Sequence, residues 1–468
     1  MRKGVIKSRL LIIIGAILIF SIWFFNVIIS KGYLFDLGTF ELPDGILFCV
    51  ISFYIFILLI FKKDSFESGT ILMMLPFSIM QDGIVDKHLE ITETSYIFNF
   101  GFTLWINIAV LLIGFGLLIH FLIYRPKFRL GSFTWSLILL FTGVIVCTIL
   151  KKIEIIQKRD LIIIFSFLIA IFLLYEYYAM SNESHSFKDI AFVLLLISLL
   201  IIGERIALYY ASIDYNSYSD LGITIFAIPF IMYYLFYLNN VKAIFKNIII
   251  LLLLSFIMAF VIYVYPFISV LILASIIFSF LVSIRKTENK LLYSIFIIIL
   301  LIITSGIIFG FEKMNYIDGT IIDRFIDGYR GTLYAISGDD VTSFAPYRSL
   351  IESEYFNKLL GINYAALNDI NSLEFMTNYN IFRRLYLSFG IVGLFTFLIF
   401  SFDVLFKTLR LRTRQSVTIA IACFALFLFT LFIPKINLLN ILIVLIFVLS
   451  AIESNVNAKL LCVEGSYE

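Results

Sequence analysis

Unbroken apolar runs of eighteen residues or more recur along this 468-residue chain, and they constrain its fold more than any other feature. A run of that length crosses roughly 30 Å of hydrocarbon as an α-helix. Only 14% of the residues are charged and 62% are apolar. Soluble domains carry about a quarter charged residues, so a soluble enzyme of this size could not cover its own surface. The pattern predicts an all-α polytopic integral membrane protein.

Spans are predicted at 10–29, 44–61, 68–84, 98–124, 131–150, 161–180, 187–205, 220–238, 246–262, 266–284, 291–310, 384–402, 417–434 and 438–452, about fourteen transmembrane helices in all. Four positive charges precede Leu10 and no small-residue cleavage site follows the first span, so the first helix is expected to be retained with its N-terminus in the cytoplasm. An even count then puts both termini inside. The loops at Lys62-Lys63, Arg125–Arg129, Lys242–Lys246, Arg285–Lys290 and Lys407–Arg414 fall inside and are positively charged, as orientation by Lys and Arg requires. The segment 151–160 carries four positive charges yet falls outside, so the assignment around 62–160 could shift by one span. Pro266 splits about forty apolar residues. It cannot donate within a helix and disfavours helix just before it, which predicts a tight external hairpin.

Residues 311–382 form one stretch of soluble composition, predicted to be a single large external loop. The organisation is therefore a transmembrane bundle over 1–310, the loop at 311–382, C-terminal helices over 383–452 and a cytoplasmic tail at 453–468. A loop that long is usually functional. It holds ten acidic residues and five basic ones, Lys313, Arg324, Arg330, Arg348 and Lys358. Arginine suits forked recognition of phosphate or carboxylate; the competing reading is surface salt bridges to the neighbouring acids. Helical apolar spacing at Leu350, Ile351, Tyr355 and Leu359 predicts a helix there, with Arg348 and Glu352 on one face. Glu204-Arg205 closes the span 187–205. An ionisable pair at that depth is a functional candidate, against a snorkelling arginine.

Arg348, the turn at Gly361-Ile-Asn363, Asn380 and the run Gly390-Ile-Val-Gly393 follow in an order and spacing that resembles the O-antigen polymerase and ligase superfamily, most closely the Wzy-type polysaccharide polymerases. Two positions depart from the family pattern: Asn363 stands for the second glycine, and Tyr379 for the histidine of the ligases. The resemblance implies a GT-C-like glycosyltransferase of the bacterial cytoplasmic (inner) membrane. Its donor and acceptor would be undecaprenyl-diphosphate-linked oligosaccharides, in contact with membrane lipid and with a chain-length regulator and flippase of the same pathway. Transfer from an anomeric carbon needs stabilised departing phosphates, which arginines can supply without a metal, and a base for the acceptor hydroxyl. Arg348 with Arg324 or Arg330 and Arg205 is expected to bind diphosphate, and Glu352 or Tyr379 to handle the acceptor.

No metal or cofactor is expected, because Cys49, Cys147, Cys423 and Cys462 and the three histidines have no ligand spacing. Nucleic-acid binding has no basic, aromatic-interleaved surface behind it. The rival functions are a lipid-linked oligosaccharide flippase, which would need polar spans rather than a large loop, and an O-antigen ligase.

Overall fold

The computed structural model describes residues 2–24, 132–150, 187–210, 221–235, 244–270, 290–314, 319–337, 351–354, 356–362, 381–410 and 417–423, with isolated positions around 53–60, 115–123, 272–277, 425 and 449. Among the described residues the architecture is helical apart from one two-stranded hairpin. The helices are α1 (Arg2–Phe24), α2 (Thr134–Leu150), α3 (Phe187–Tyr210), α4 (Leu221–Tyr233), α5 (Ile244–Val264), α6 (Lys290–Lys313), α7 (Ile321–Ser337) and α8 (Ile381–Arg410). Strands β1 (Phe356–Asn357) and β2 (Gly361–Ile362) pair antiparallel, Phe356 opposite Ile362. Among the described residues four helical stretches, Asp189–Ala207, Asn247–Val264, Ser294–Lys313 and Phe389–Thr408, are long and apolar enough to cross a membrane.

Side-chain contacts fix how the helices run past one another. Arg9 of α1 bonds Asp189 of α3 through Nε and Nη2 at 3.1 and 2.5 Å, and Phe20 lies against Gly203 farther along the same pair. These two helices are parallel. In α2 and α8 the order reverses: Lys407 donates to the carbonyl of Ser132, Thr396 crowds Gly143, and Cys147 reaches Phe389. That pair is antiparallel, and the bare Gly143 lets the backbones approach closely, as small residues do between membrane helices. In α5 and α6 the C-terminal ends meet, the Phe311 ring lying 5.4 Å from that of Tyr263 and 6.0 Å from that of Phe260.

Helix α4 is buried on every side, contributing Phe226, Phe230 and Tyr233 to the centre of the core. A helix that is apolar all round belongs in such a place. Helix α6 is its opposite, with only 11% of its membrane-length window buried. Several hydroxyls inside the apolar helices bond back to their own turns: Ser198 to Leu194, Ser255 to Leu251 and Thr304 to Leu300, at 2.9, 2.8 and 2.7 Å. With no water at hand, that is the nearest acceptor.

The chain breaks where Pro266 predicts it. Helix α5 ends at Val264, and a 3₁₀ turn over Pro266–Ile268 follows, closed by Ile268 N–H to the Tyr265 carbonyl at 3.0 Å. One expectation fails. The helical spacing read through Leu359 ends at Glu352, and Phe356–Ile362 is a hairpin instead. Asn357 is the reason: its Oδ1 accepts the N–H of Leu359 at 2.8 Å and of Leu360 at 3.3 Å, a side-chain turn that competes with helix.

Candidate functional site

Two places join the predicted external stretch to the bundle. At the first, the start of α7 is fastened to α5 and α6. Thr320 and Asp323 form a reciprocal cap: Asp323 N–H donates to Thr320 Oγ1 at 3.2 Å, while Asp323 Oδ2 accepts Thr320 N–H at 3.3 Å and its hydroxyl at 2.6 Å. Such a box satisfies amide donors that the first turn of a helix leaves open. Ile321 N–H, another of these, goes to Glu312 Oε1 on α6 at 3.4 Å.

Arg324, in the first turn of α7, reaches back sixty-one residues to the last turn of α5. Its Nη1 donates to the carbonyl of Tyr263, one of the acceptors that a helix C-terminus leaves unbonded. Its guanidinium carbon lies 4.4 Å from the Tyr263 ring centroid, a cation–π contact. Arg324 Nε and Nη2 are buried and have no hydrogen-bond partner among the described residues. Those two atoms are the parallel donors of the guanidinium's side edge, the fork that matches two oxygens of a phosphate or carboxylate. An anionic oxygen pair there would meet donors already held in direction by the ring and carbonyl beneath them.

At the second place, the β1–β2 hairpin docks on a break in α8. Gly390 has φ +62° and ψ −156°, which interrupts the helix and divides it into two halves. The break strands N–H groups at the head of the second half and a carbonyl at the foot of the first. The hairpin turn caps the former: the carbonyls of Lys358 and Leu359 accept from Ile391 and Val392 N–H at 2.9 and 3.3 Å. Cys147 caps the latter, its Sγ 3.4 Å from the Phe389 carbonyl. The Phe356 ring meets Tyr386 edge-on at 5.3 Å. A Cβ on residue 390 would lie 2.4 Å from both the carbonyl carbon and the oxygen of Leu359, so glycine alone fits.

Of the residues singled out in the sequence, Gly361, Gly390 and Gly393 are brought to one place by this docking. Arg324 stands at the other. Arg330 is exposed and, six residues on, lies on a different face of α7. Glu352 is exposed at the end of a short helical turn. Arg205 is 6% exposed and its neighbour Glu204 1% exposed, both within the core side of α3. Arg348, Asn363, Tyr379 and Asn380 lie outside the described residues.

Sequence reasoning missed Tyr263, Asn357 and Cys147 as partners. Asn357 two residues before Leu359 was a readable turn signal; the roles of Tyr263 and Cys147 depend on chain segments far away and leave no local pattern. Among the described residues no three His, Cys, Asp or Glu side chains converge as a metal site. No family model, curated protein or solved structure matches the chain.

Proposed function

We propose that the protein is a polysaccharide polymerase that joins undecaprenyl-diphosphate-linked repeat units on the outer face of the bacterial cytoplasmic membrane. The observation that carries this reading is the open side edge of Arg324, a fork for anionic oxygens at the end of an apolar helical bundle. In the reaction, the anomeric C–O bond from the growing chain to its lipid diphosphate breaks. A new bond forms to an acceptor hydroxyl of a fresh unit, whose proton passes to a base, Glu352 or Tyr379. The leaving group is undecaprenyl diphosphate. Arg324, with Arg348, stabilises the charge that develops on the departing phosphate. The resemblance of the Arg348 to Gly393 motifs to Wzy-type polymerases points the same way.

The relative directions of the helices agree with the alternation of spans predicted from the sequence, whichever side the termini occupy. Fourteen alternating spans require the first and seventh to be parallel, the fifth and twelfth antiparallel, and the ninth and eleventh to end on the same side. Those pairs are α1 with α3, α2 with α8, and α5 with α6. With the N-terminus inside, as the four positive charges before Leu10 suggest, α7 and the hairpin would face outward.

A flippase for lipid-linked oligosaccharide is the second reading, favoured by Glu204 and Arg205 buried among the helices, since interior ionisable groups mark transport paths. Deletion of the gene separates the two. A polymerase mutant still displays single repeat units but loses the long glycan ladder on a gel; loss of every unit overturns the polymerase. Arg324→Lys keeps a positive charge but not the fork, and is expected to abolish the ladder at unchanged protein level. A normal ladder in that variant refutes the fork.

A further inference from the structure

Helix α7 and the last turn of α6 are one unit in depth. Glu312 holds the first amide of α7 at 3.4 Å, Arg324 stacks on Tyr263, and Tyr263 lies 5.4 Å from Phe311. The first turns of α7 therefore sit level with Phe309–Lys313. That level has its own chemical signature: Lys313 Nζ folds over the Phe309 ring, 4.7 Å from its centroid. An aromatic ring with an ammonium group above it, at the end of a membrane-length helix, belongs at the boundary between hydrocarbon and water. Toward the membrane from that boundary, α6 leaves Ile295, Ile298 and Ile302 exposed.

Helix α7 itself is two-sided. At 100° per residue, Phe325 and Tyr329 fall on one edge of an apolar sector, Ile322 and Ile326 on its other edge, and Arg330, Asp323 and Asp327 on the polar face that begins beyond Ile326. Phe325 and Tyr329 pack against Phe267 of the 3₁₀ turn, at 5.8 and 6.3 Å between centroids. This contact covers only half of the sector. Ile322 is 70% exposed and Ile326 40%.

The uncovered edge of α7 begins at the depth where the uncovered face of α6 ends, so the same medium meets both. We propose that this medium is the lipid bilayer, and that α7 lies in the membrane–water interface. Ile322 and Ile326 dip among the acyl chains, while Asp323, Asp327 and Arg330 remain in water. An amphipathic helix with a charged face takes that position. Its consequence is that the arginine fork of the same helix turn is held at the level of lipid headgroups. The inference needs the membrane and not the sugar chemistry, so its failure leaves the polymerase reading untouched.

The test places a single cysteine at Ile326→Cys or Asp327→Cys in the full-length chain, with the four native cysteines replaced. Each is labelled with an environment-sensitive fluorophore in nanodiscs of phosphatidylethanolamine and phosphatidylglycerol. At 326 the expected result is blue-shifted emission, loss of signal to shallow doxyl lipid and none to aqueous iodide; at 327, the reverse. Iodide quenching at both positions overturns the proposal, and so does protection of 326 from both quenchers, which would mean a protein covers it. Should the cysteine-free chain not fold, a benzophenone amino acid at 326 of the otherwise native chain reads the same contrast. It is expected to photocrosslink to lipid while one at 327 does not, and a crosslink from 326 to protein in place of lipid overturns the proposal.

Discussion

Gly390→Ala tests the docking of the hairpin on the broken helix. The backbone at this position has φ +62° and ψ −156°, a conformation essentially confined to glycine, and holding another residue there costs about 1–3 kcal/mol. The added methyl would also lie 2.4 Å from the Leu359 carbonyl and 2.6 Å from the Leu360 nitrogen. These are backbone atoms and cannot rotate away, so overpacking adds about 1–3 kcal/mol. The alternative is for the hairpin to lift off. That forfeits two hydrogen bonds, from Ile391 and Val392 N–H, each worth about 1 kcal/mol net and more if the donors stay buried. The cheaper route sets the outcome, a loss of about 2–4 kcal/mol, which multiplies the undocked population roughly thirty- to several-hundredfold. Hydrogen exchange followed by mass spectrometry reads this directly, because local opening limits exchange. Peptides covering 356–362 and 388–393 should exchange faster by that factor while those from α5 do not change. Unaltered protection at Ile391 and Val392, with an unaltered thermal midpoint, would refute the account of the break.

Three further outcomes follow from the same contacts. Asn357→Ala removes the side-chain acceptor for Leu359 and Leu360 N–H and should loosen the hairpin by about 1 kcal/mol, read as faster exchange in 356–362 alone. Asp189→Ala leaves Arg9 half-buried on α1 and should cost about 1–2 kcal/mol, between the values of exposed and buried pairs, read as a lower midpoint in thermal unfolding. Gly143→Ala drives a methyl to 2.8 Å from the Thr396 side chain, whereas Gly310→Ala meets nothing within 4 Å. The first should destabilise by about 1–3 kcal/mol and the second should not destabilise at all; an equal loss in both would mean that α6 packs against something.

The apolar helices were legible because apolar run length is a local property, whereas α7 lies inside the stretch predicted as a loop. The ends of α5 and α7 were also open to reading: Pro266 stops one, and Thr320 with Asp323 three residues later starts the other. The region around Leu359 was misread because its apolar spacing fits a helix, while what decides its conformation is Asn357 together with two amides on α8. Gly390 stood out in the sequence as part of a motif, but a glycine between apolar residues does not announce that another chain segment needs its empty side. Arg324 was named for its chemistry. Its setting was illegible, since the ring and carbonyl that hold it belong to Tyr263, on the far side of a whole helix in the chain.

That setting bears on the two readings of Arg324. A surface salt bridge would neutralise the charge with a neighbouring acid, and Arg324 has acids one and three residues away. Asp323, however, is committed to capping Thr320 and Glu312 to the Ile321 amide, and Asp327 makes no ion pair with Arg324 among the described residues. What holds Arg324 among the described residues is a carbonyl and a ring, and both are electrically neutral. They fix the direction of the guanidinium without cancelling its charge. Burying two donors of such a group without partners costs a few kcal/mol, an expense that a side chain serving only as a clamp could avoid, since a lysine would reach one carbonyl equally well. A positive charge left uncancelled, with its paired edge open, among the described residues is instead what recognition of an anion requires. The same charge would hinder a surface built only for packing, and on that asymmetry the proposal that Arg324 meets a phosphate-bearing substrate rests.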